Sequence, residues 1–315
     1  MAIAVLGEAL IDLVASGDQS YRAHPGGSPF NVAIGLARQN MDVHYLSPLS
    51  DDEPGNQLRD VLLTEGVQVA IERRSRFPTS LALVTLDSKG VPAYRLYREG
   101  VADKDVSADE VMTHLPADLT LFHTGSLAIT PSQLPKIRTL FAALRERGVP
   151  VSIDINVRLG ASANEDRYLS GVRSLLPLCD IVKASDEDLA ALALHSDTLK
   201  ASHIAYEEMH GGLMIATLGE DGAVLHHNDG SLQSRAYPVS NLVDTIGAGD
   251  TFHAAFLAAI LRDGIVEENL SNARPQALGK ALEYACAAAA VNVMRAGCQP
   301  PTPIEVEALI SATRR

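Results

Sequence analysis

Basic side chains are in short supply in this chain: 26 lysines and arginines against 39 aspartates and glutamates give a formal net charge of -13. Affinity for a nucleic-acid backbone rests on neutralising phosphates with such side chains, so no nucleic-acid partner is expected, although a local basic pocket for a small phosphate is compatible with the balance. Cysteine is scarcer still. Cys179, Cys286 and Cys298 are odd in number and widely spaced, which fits neither a disulfide framework nor a zinc site. They point to a reducing, cytoplasmic setting in which all three serve as small buried hydrophobes. No run is long and apolar enough to span a membrane, so no membrane partner is expected either. The apolar opening MAIAVLGEALIDLVA lacks a basic n-region and is broken by Glu8 and Asp12, so it reads as strand and turn, not as a signal peptide.

Two familiar nucleotide signatures are missing as well. A Walker A loop needs Gly, four residues, Gly, Lys and Ser or Thr; Gly279 and Lys280 lack both the earlier glycine and the hydroxyl. A dinucleotide fingerprint would need a third glycine where Phe252 stands, close to the first strand. P-loop nucleotidase and hydride chemistry are thereby set aside.

What is present is a chain of 315 residues, 46% hydrophobic, enough for one large core with a small appendage. Short β-rich runs at 3–6, 43–48, 119–124, 151–155, 181–183 and 213–218 alternate with helical patterns at 31–39, 57–63, 132–147, 166–176 and 187–194. That alternation predicts a mostly parallel, doubly wound α/β sheet. Residues 10–24 and 79–97 break the rhythm. The second of these places SLALVTLD and AYRLYR around a turn at Ser88, Lys89 and Gly90, as a hairpin would. Both segments read as strands projecting from the main sheet, with one apolar face to cover a pocket or to pack on a second subunit. A β-meander is expected around Asn228, Asp229 and Gly230.

The most informative motif is DTIGAGDTF at 244–252, which opens an apolar helical run. Gly247 and Gly249 can turn successive N–H groups towards one spot, and the unpaired first amides and dipole of the following helix favour an anion there. Asp250 lies in or beside the first turn, where the dipole favours its ionised form, and is placed to take a proton from a hydroxyl attacking a bound phosphate. The plainer reading of Asp250 is a helix cap.

Four further groupings accompany it. GEALIDL and GGSPFNVA place Asp12, Gly26, Gly27 and Asn31 near the end of the first strand; carboxylate and carboxamide suit the vicinal hydroxyls of a sugar, and the glycines permit close approach. Alternatively, Ser28 caps a helix with Pro29 in its first turn, and Asn31 has no role. SIDINVR alternates Asp154, Asn156 and Arg158 at a strand end, with Arg158 either on a phosphate or simply solvated. IVKASDEDL sets Lys183, Asp186, Glu187 and Asp188 at a strand-to-helix junction, where the acids either favour the helix head or orient water around magnesium. Thr217, Gly219 and Gly222 in ATLGEDGAV read alone as a hairpin, and the small-residue helix CAAAAVNV, containing Ala288 and Asn292, suits adenine or helix packing equally.

In this order, GEALIDL, GGSPFNVA, DINVR, ATLGEDG, DTIGAGDTF and RAGC resemble the ribokinase-like, or PfkB, family of carbohydrate kinases over nearly the whole chain. The resemblance implies a single domain over 1–315, a three-layer α/β/α sandwich with a mostly parallel sheet, and a small β-strand lid built from insertions at about 10–25 and 77–103. It implies ATP-dependent transfer to a sugar hydroxyl, with Asp250 as base and the amides of Gly247, Ala248, Gly249 and Asp250 as anion hole. By matching positions, Asp12, Gly27 and Asn31 would hold the sugar, and Arg158, Lys183, Thr217, Gly219 and Gly222 would lie along the nucleotide. A monovalent cation, potassium, would implicate Asp244 and the carbonyl of Ile246. The family's Asn-x-x-Glu, which supports magnesium, appears here as Ser185 to Asp188, so that Asp188 or Glu187 takes the acidic role; Cys298 stands where alanine often follows the glycine, a swap expected to leave the adenine pocket intact. Within the family, GEALIDL, PTSLALVTLD and YRLYREGVAD look most like bacterial fructokinases, which implies D-fructose as acceptor. A kinase for 2-keto-3-deoxygluconate or another small sugar, with Arg95 and Arg98 as the extra cations an acid would require, is the alternative; a sugar or nucleotide sensor without turnover is the alternative from another class. A homodimer through the lid strands is expected.

Overall fold

The computed structural model describes residues 1–16, 20–86, 92–266 and 270–314. Its strands are β1 Ala2–Val5, β2 Leu10–Ala15, β3 Tyr21–Gly26, β4 Asp42–Tyr45, β5 Gln68–Val69, β6 Ser80–Leu86, β7 Pro92–Tyr97, β8 Leu119–Gly125, β9 Val151–Asp154, β10 Ile181–Ser185, β11 Leu213–Thr217, β12 Ala223–His227 and β13 Gly230–Ser234. Its helices are α1 Ser28–Arg38, α2 Glu53–Thr64, α3 Ala108–Thr113, α4 Leu134–Glu146, α5 Glu165–Arg173, α6 Asp186–Ala191, α7 Thr198–Met209, α8 Ala248–Arg262, α9 Pro275–Val293 and α10 Pro303–Thr313.

Nine strands form one sheet in the order β13-β12-β11-β10-β9-β8-β1-β4-β5. Neighbours from β5 to β11 run parallel, and the expected meander closes the far edge antiparallel. A parallel sheet is covered on both faces, which is why its strands are apolar at successive positions. Successive residues still divide between two cores. Ile3, Val5, Ile181 and Leu213 pack with α1, α2, α8 and α9, while Ala4, Val182 and Met214 pack with α4, α5 and α7. The three layers expected from the sequence follow from this division.

The other four strands form a second sheet, β3-β2-β6-β7, made of two hairpins joined by the parallel pairing of β2 with β6. These are the two segments that interrupt the βα rhythm; the turn expected at Ser88, Lys89 and Gly90 lies outside the described residues. Leu10, Ala82 and Leu127 form a small core under this sheet, whereas Tyr21 and Tyr97 are 48% and 55% exposed.

Strand order reverses between β1 and β8: the chain builds outward from β1 through β4 and β5, then returns to build from β8 to β11 on the other side. Ligand crevices in open α/β sheets form at the carboxyl ends of strands at such a reversal. The small sheet joins the body at this end, and α1, which follows β3, packs on α8.

Candidate active site

Asp250 is the third residue of α8, and the helix has no side-chain cap, so the carboxylate is not spent on capping. Its oxygens meet donors from the distant helix α1: Ser28 Oγ donates to Oδ1 at 2.7 Å, and Asn31 Nδ2 donates to Oδ2 at 2.8 Å. Burial pushes the carboxyl up, and Ser28, Asn31, Lys183 and Arg158 oppose that rise. Burial and these named donors thus pull its protonation in opposite directions.

Gly247 caps α8 in the left-handed region, at φ 72°, and a Cβ there would collide with the Cys298 side chain. Cys298 is thus packed against the glycine loop. Ala248 N–H is engaged with Thr245 O at 3.2 Å, whereas the amides of Gly247, Gly249 and Asp250 meet no acceptor among the described residues. Of the four amides expected to form an anion hole, three therefore retain a free donor.

Beneath the loop lies a buried ion pair. Lys183 Nζ is 2.9 Å from both Asp154 oxygens and 3.3 Å from where a Cβ on Gly249 would stand. Burial works against the ammonium charge, but Asp154 and Asp188 outweigh it and hold Lys183 above its usual range. The expected alternation of Asp154, Asn156 and Arg158 along one strand face is not realised, because β9 ends at Asp154 and Asn156 turns at φ 38°. Arg158 is exposed and electrostatically close to both Asp12 and Asp250. One turn deeper along α8, His253 shares the Ser152 hydroxyl with His123; both rings are fully buried, and burial holds both below the usual imidazole range.

Asp12 lies in β2 of the small sheet and not at the end of the first strand, as had been expected. Burial raises it to about 6, with His24 and Arg158 opposing and Asp250 adding to the rise. Gly26 closes β3 beside it, and Gly27, at φ 112°, passes so close to Glu8 O that no Cβ fits. Asp12, Gly26, Gly27, Asn31, Arg158 and Asp250 are thus gathered at one end of the sheet from distant parts of the chain.

Other candidates are committed elsewhere. Asp188 accepts from Val157 N at 2.7 Å and from Ser185 N and Oγ at 2.8 Å, closing a capping box at α6, whereas Glu187 is exposed. Asp244 accepts from Ile246 N and Gly297 N, each at 2.9 Å. Asn292, expected beside adenine, is fully buried and instead donates to Ile246 O and accepts from Gln299 N, so it braces the loop. Ala288 is fully buried in the same helix. Thr217 ends β11, and Gly219 and Gly222, both at positive φ, turn the chain into β12.

Arg95 is exposed on β7. Arg98 is buried, donating to Asp103 at 2.7 Å and to Ser80 Oγ at 2.9 Å where the lid rejoins the body. Next to this lid root, Glu8 is 1% exposed, with Oε1 accepting from Ser28 N at 3.3 Å and Oε2 lacking a hydrogen-bond partner. Burial raises Glu8 to about 7 against the pull of Arg98. Sequence reasoning treated Glu8 only as a break in an apolar run. An acid inside an apolar run needs a partner once buried, and that argument would have flagged it.

Among the described residues, no group of three or more His, Cys, Asp or Glu side chains is placed to hold a metal ion, and no helix is long and apolar enough to cross a membrane. Donors that could act on magnesium through water are the exposed carboxylates of Asp186 and Glu187. For potassium they are the Asp244 carboxylate and the Ile246 carbonyl, both hard oxygen donors.

Comparison with known proteins agrees with this geometry. The family model described as pfkB family carbohydrate kinase matches residues 2–305. Fructokinase-2 of Solanum lycopersicum is 31% identical over 319 residues, covering 98% of this chain and 94% of its own. The structure of a fructokinase with bound ATP from Xylella fastidiosa superposes with a TM-score of 0.89 at 25% identity, covering 100% of this chain and 99% of its own. An aminoimidazole riboside kinase from Salmonella enterica gives 0.80 at 25% identity, covering 99% and 100%.

Proposed function

This chain belongs to the pfkB family of carbohydrate kinases, and from that premise we propose that it transfers the γ-phosphoryl group of ATP to D-fructose, giving D-fructose 6-phosphate. The observation that carries the reading is the buried Asp250 carboxylate at the head of α8, held by Ser28 and Asn31 beside three unengaged amides. A carboxylate so placed can take a proton while the amides face the transferring group. Full-length fructokinase relatives support the choice of acceptor. So does the state of Arg98, which is paired with the buried Asp103 and so is not free for the carboxylate of an acid substrate.

Asp250 accepts the proton of the acceptor hydroxyl as its oxygen bonds to the γ-phosphorus and the bond to ADP breaks. The amides of Gly247, Gly249 and Asp250, with Arg158, lie against the negative charge spread over the phosphoryl oxygens. Lys183, paired with Asp154, sits below the same loop and supports it. Asp12, Gly26, Gly27 and Asn31 line the sugar side, and Thr217, Gly219, Gly222 and the face of α9 near Ala288 flank the nucleotide. Magnesium, held through water by Glu187, would neutralise phosphate charge, and potassium would be held by Asp244 and Ile246 O. Segments 10–25 and 77–103 act as a lid that excludes water. Exposed Tyr21 and Tyr97 on that lid support a homodimer through its strands, and the unpaired cysteines support a cytoplasmic setting.

The test is ADP release from ATP and magnesium with fructose, ribose, glucose, aminoimidazole riboside and 2-keto-3-deoxygluconate, with and without potassium, using Asp250→Asn as the blank. Turnover selective for fructose and dependent on Asp250 supports the reading. Selective turnover of another acceptor reassigns the pocket, and binding of fructose and ATP without ADP release supports a sensor.

A further inference from the structure

Ser28 looks in the sequence like a helix cap, but the structure uses it otherwise. It is the first residue of α1, 8% exposed, preceded by Gly27 at the cap position with no side-chain cap bond. Its amide is held by Glu8 Oε1 at 3.3 Å, and its hydroxyl donates to Asp250 Oδ1 at 2.7 Å. Asn31, on the same face of the same helix, holds Oδ2. We propose that Ser28 is a positioning residue for the base: its hydroxyl, aimed by the Glu8 contact, fixes with Asn31 the plane in which the Asp250 carboxylate meets the acceptor hydroxyl. This rests on Asp250 acting as the base.

The terminal torsion of an aspartate is broad and roughly two-fold, so one donor leaves the carboxylate free to rock and two donors on one rigid helix do not. Both donors are neutral. They orient the carboxylate without clamping it in an ion pair, and each oxygen keeps a lone pair for the substrate. Ser28 also stands foremost among the groups that oppose the effect of burial on Asp250. The other charged groups acting on Asp250 are Lys183 of β10 and Arg158 after β9, which favour the carboxylate; its charge in turn raises Asp12 of β2, Asp154 of β9 and the Cys298 thiol after α9. Lys183 is already shared with Asp154 and Asp188, so loss of the Ser28 hydroxyl has no nearby replacement.

The experiment measures kcat and KM for fructose and for ATP across pH about 5–9 in the parent, Ser28→Ala, Ser28→Thr and Asp250→Asn, with thermal unfolding of each. In Ser28→Ala the acid limb of kcat/KM for fructose moves to higher pH. The loss is about tenfold or more on the acid side and narrows as pH rises, KM for ATP holds, and Ser28→Thr restores the limb. An acid limb in Ser28→Ala that coincides with the parent's overturns the proposal, as does a uniform loss across pH accompanied by a lower melting temperature. Near-parental turnover in Asp250→Asn instead overturns the base reading itself, whereas an inactive Asp250→Asn with an unmoved Ser28→Ala limb overturns only the role of Ser28.

Discussion

At the head of α8 a buried carboxylate is held by two neutral donors, whereas at the lid root a buried guanidinium faces a carboxylate directly at 2.7 Å. Both places bury charge, and each way of holding it matches what the group has to do. The base proposed for this site must stay available for a proton, and Asp250 is bonded by Ser28 and Asn31 while Lys183 and Arg158 act from further off. A hinge must not drift, so Arg98 and Asp103 neutralise each other and Ser80 completes the knot. Burial alone therefore does not mark a reactive acid. What separates Asp250 from Asp103 is that no cation is bonded to it.

Three variants test that contrast. Asp250→Asn removes the proton acceptor while keeping shape and donors' positions, so kcat should fall by about 10²-fold or more while ATP binding, measured by calorimetry, persists; turnover near the parent's would erase the distinction between the two sites. Arg98→Met leaves Asp103 buried without its partner and should lower stability by about 3–5 kcal/mol in denaturant unfolding. The double variant Arg98→Met with Asp103→Leu should lose less than Arg98→Met alone, since no charge is stranded; an equal or larger loss would mean that packing, not charge, holds the lid root.

Glu8 sits between the two regions and gives a pH signature. Its folded-state value is raised from 4.5 to about 7, so the folded chain holds the proton more tightly than the unfolded chain does. The stability this contributes is complete at low pH and is lost as pH rises from about 4.5 through about 7. Glu8→Gln stays neutral, so its stability relative to the parent should climb over that window in urea titrations at successive pH values; parallel curves would show Glu8 does not titrate there. The smallest effect is expected for Arg173→Ala. Its ion pair with Glu208 is 51% and 27% exposed, and its loss should change stability by about 0–1 kcal/mol. A loss as large as that of Arg98→Met would break the rule that burial decides the weight of a pair.

The layered body was legible because the signals that specify it are local: an apolar run such as IVKA and the helical pattern after it each declare themselves within a few residues. The small sheet was legible from the breaks in that rhythm, although the parallel pairing of β2 with β6 was not, since strand partners distant in sequence leave no local trace. The same limit governs the site. DTIGAGDTF and GGSPFNVA could each be located, and their chemistry argued, from their own residues. That Ser28 and Asn31 bond to Asp250, that Asp154 claims Lys183, and that Asn292 clamps Ile246 O are contacts made only by the tertiary fold. Asp188 was readable in two ways, at the helix head or on magnesium, and its partners are those of the first: the capping box takes Oδ2 while Val157 N takes Oδ1.

The docking of α1 on α8 has a bearing on how the protein comes into being. Residues 28 and 31 leave the ribosome early and residue 250 late, and the small sheet can pair its strands long before α8 exists. A nascent or truncated chain can therefore carry the small sheet and half of the large one while the Asp250 carboxylate is missing altogether. Competence arrives in one step, when the late helix seats against the early one, so sugar phosphorylation would report that the two ends of the body have met.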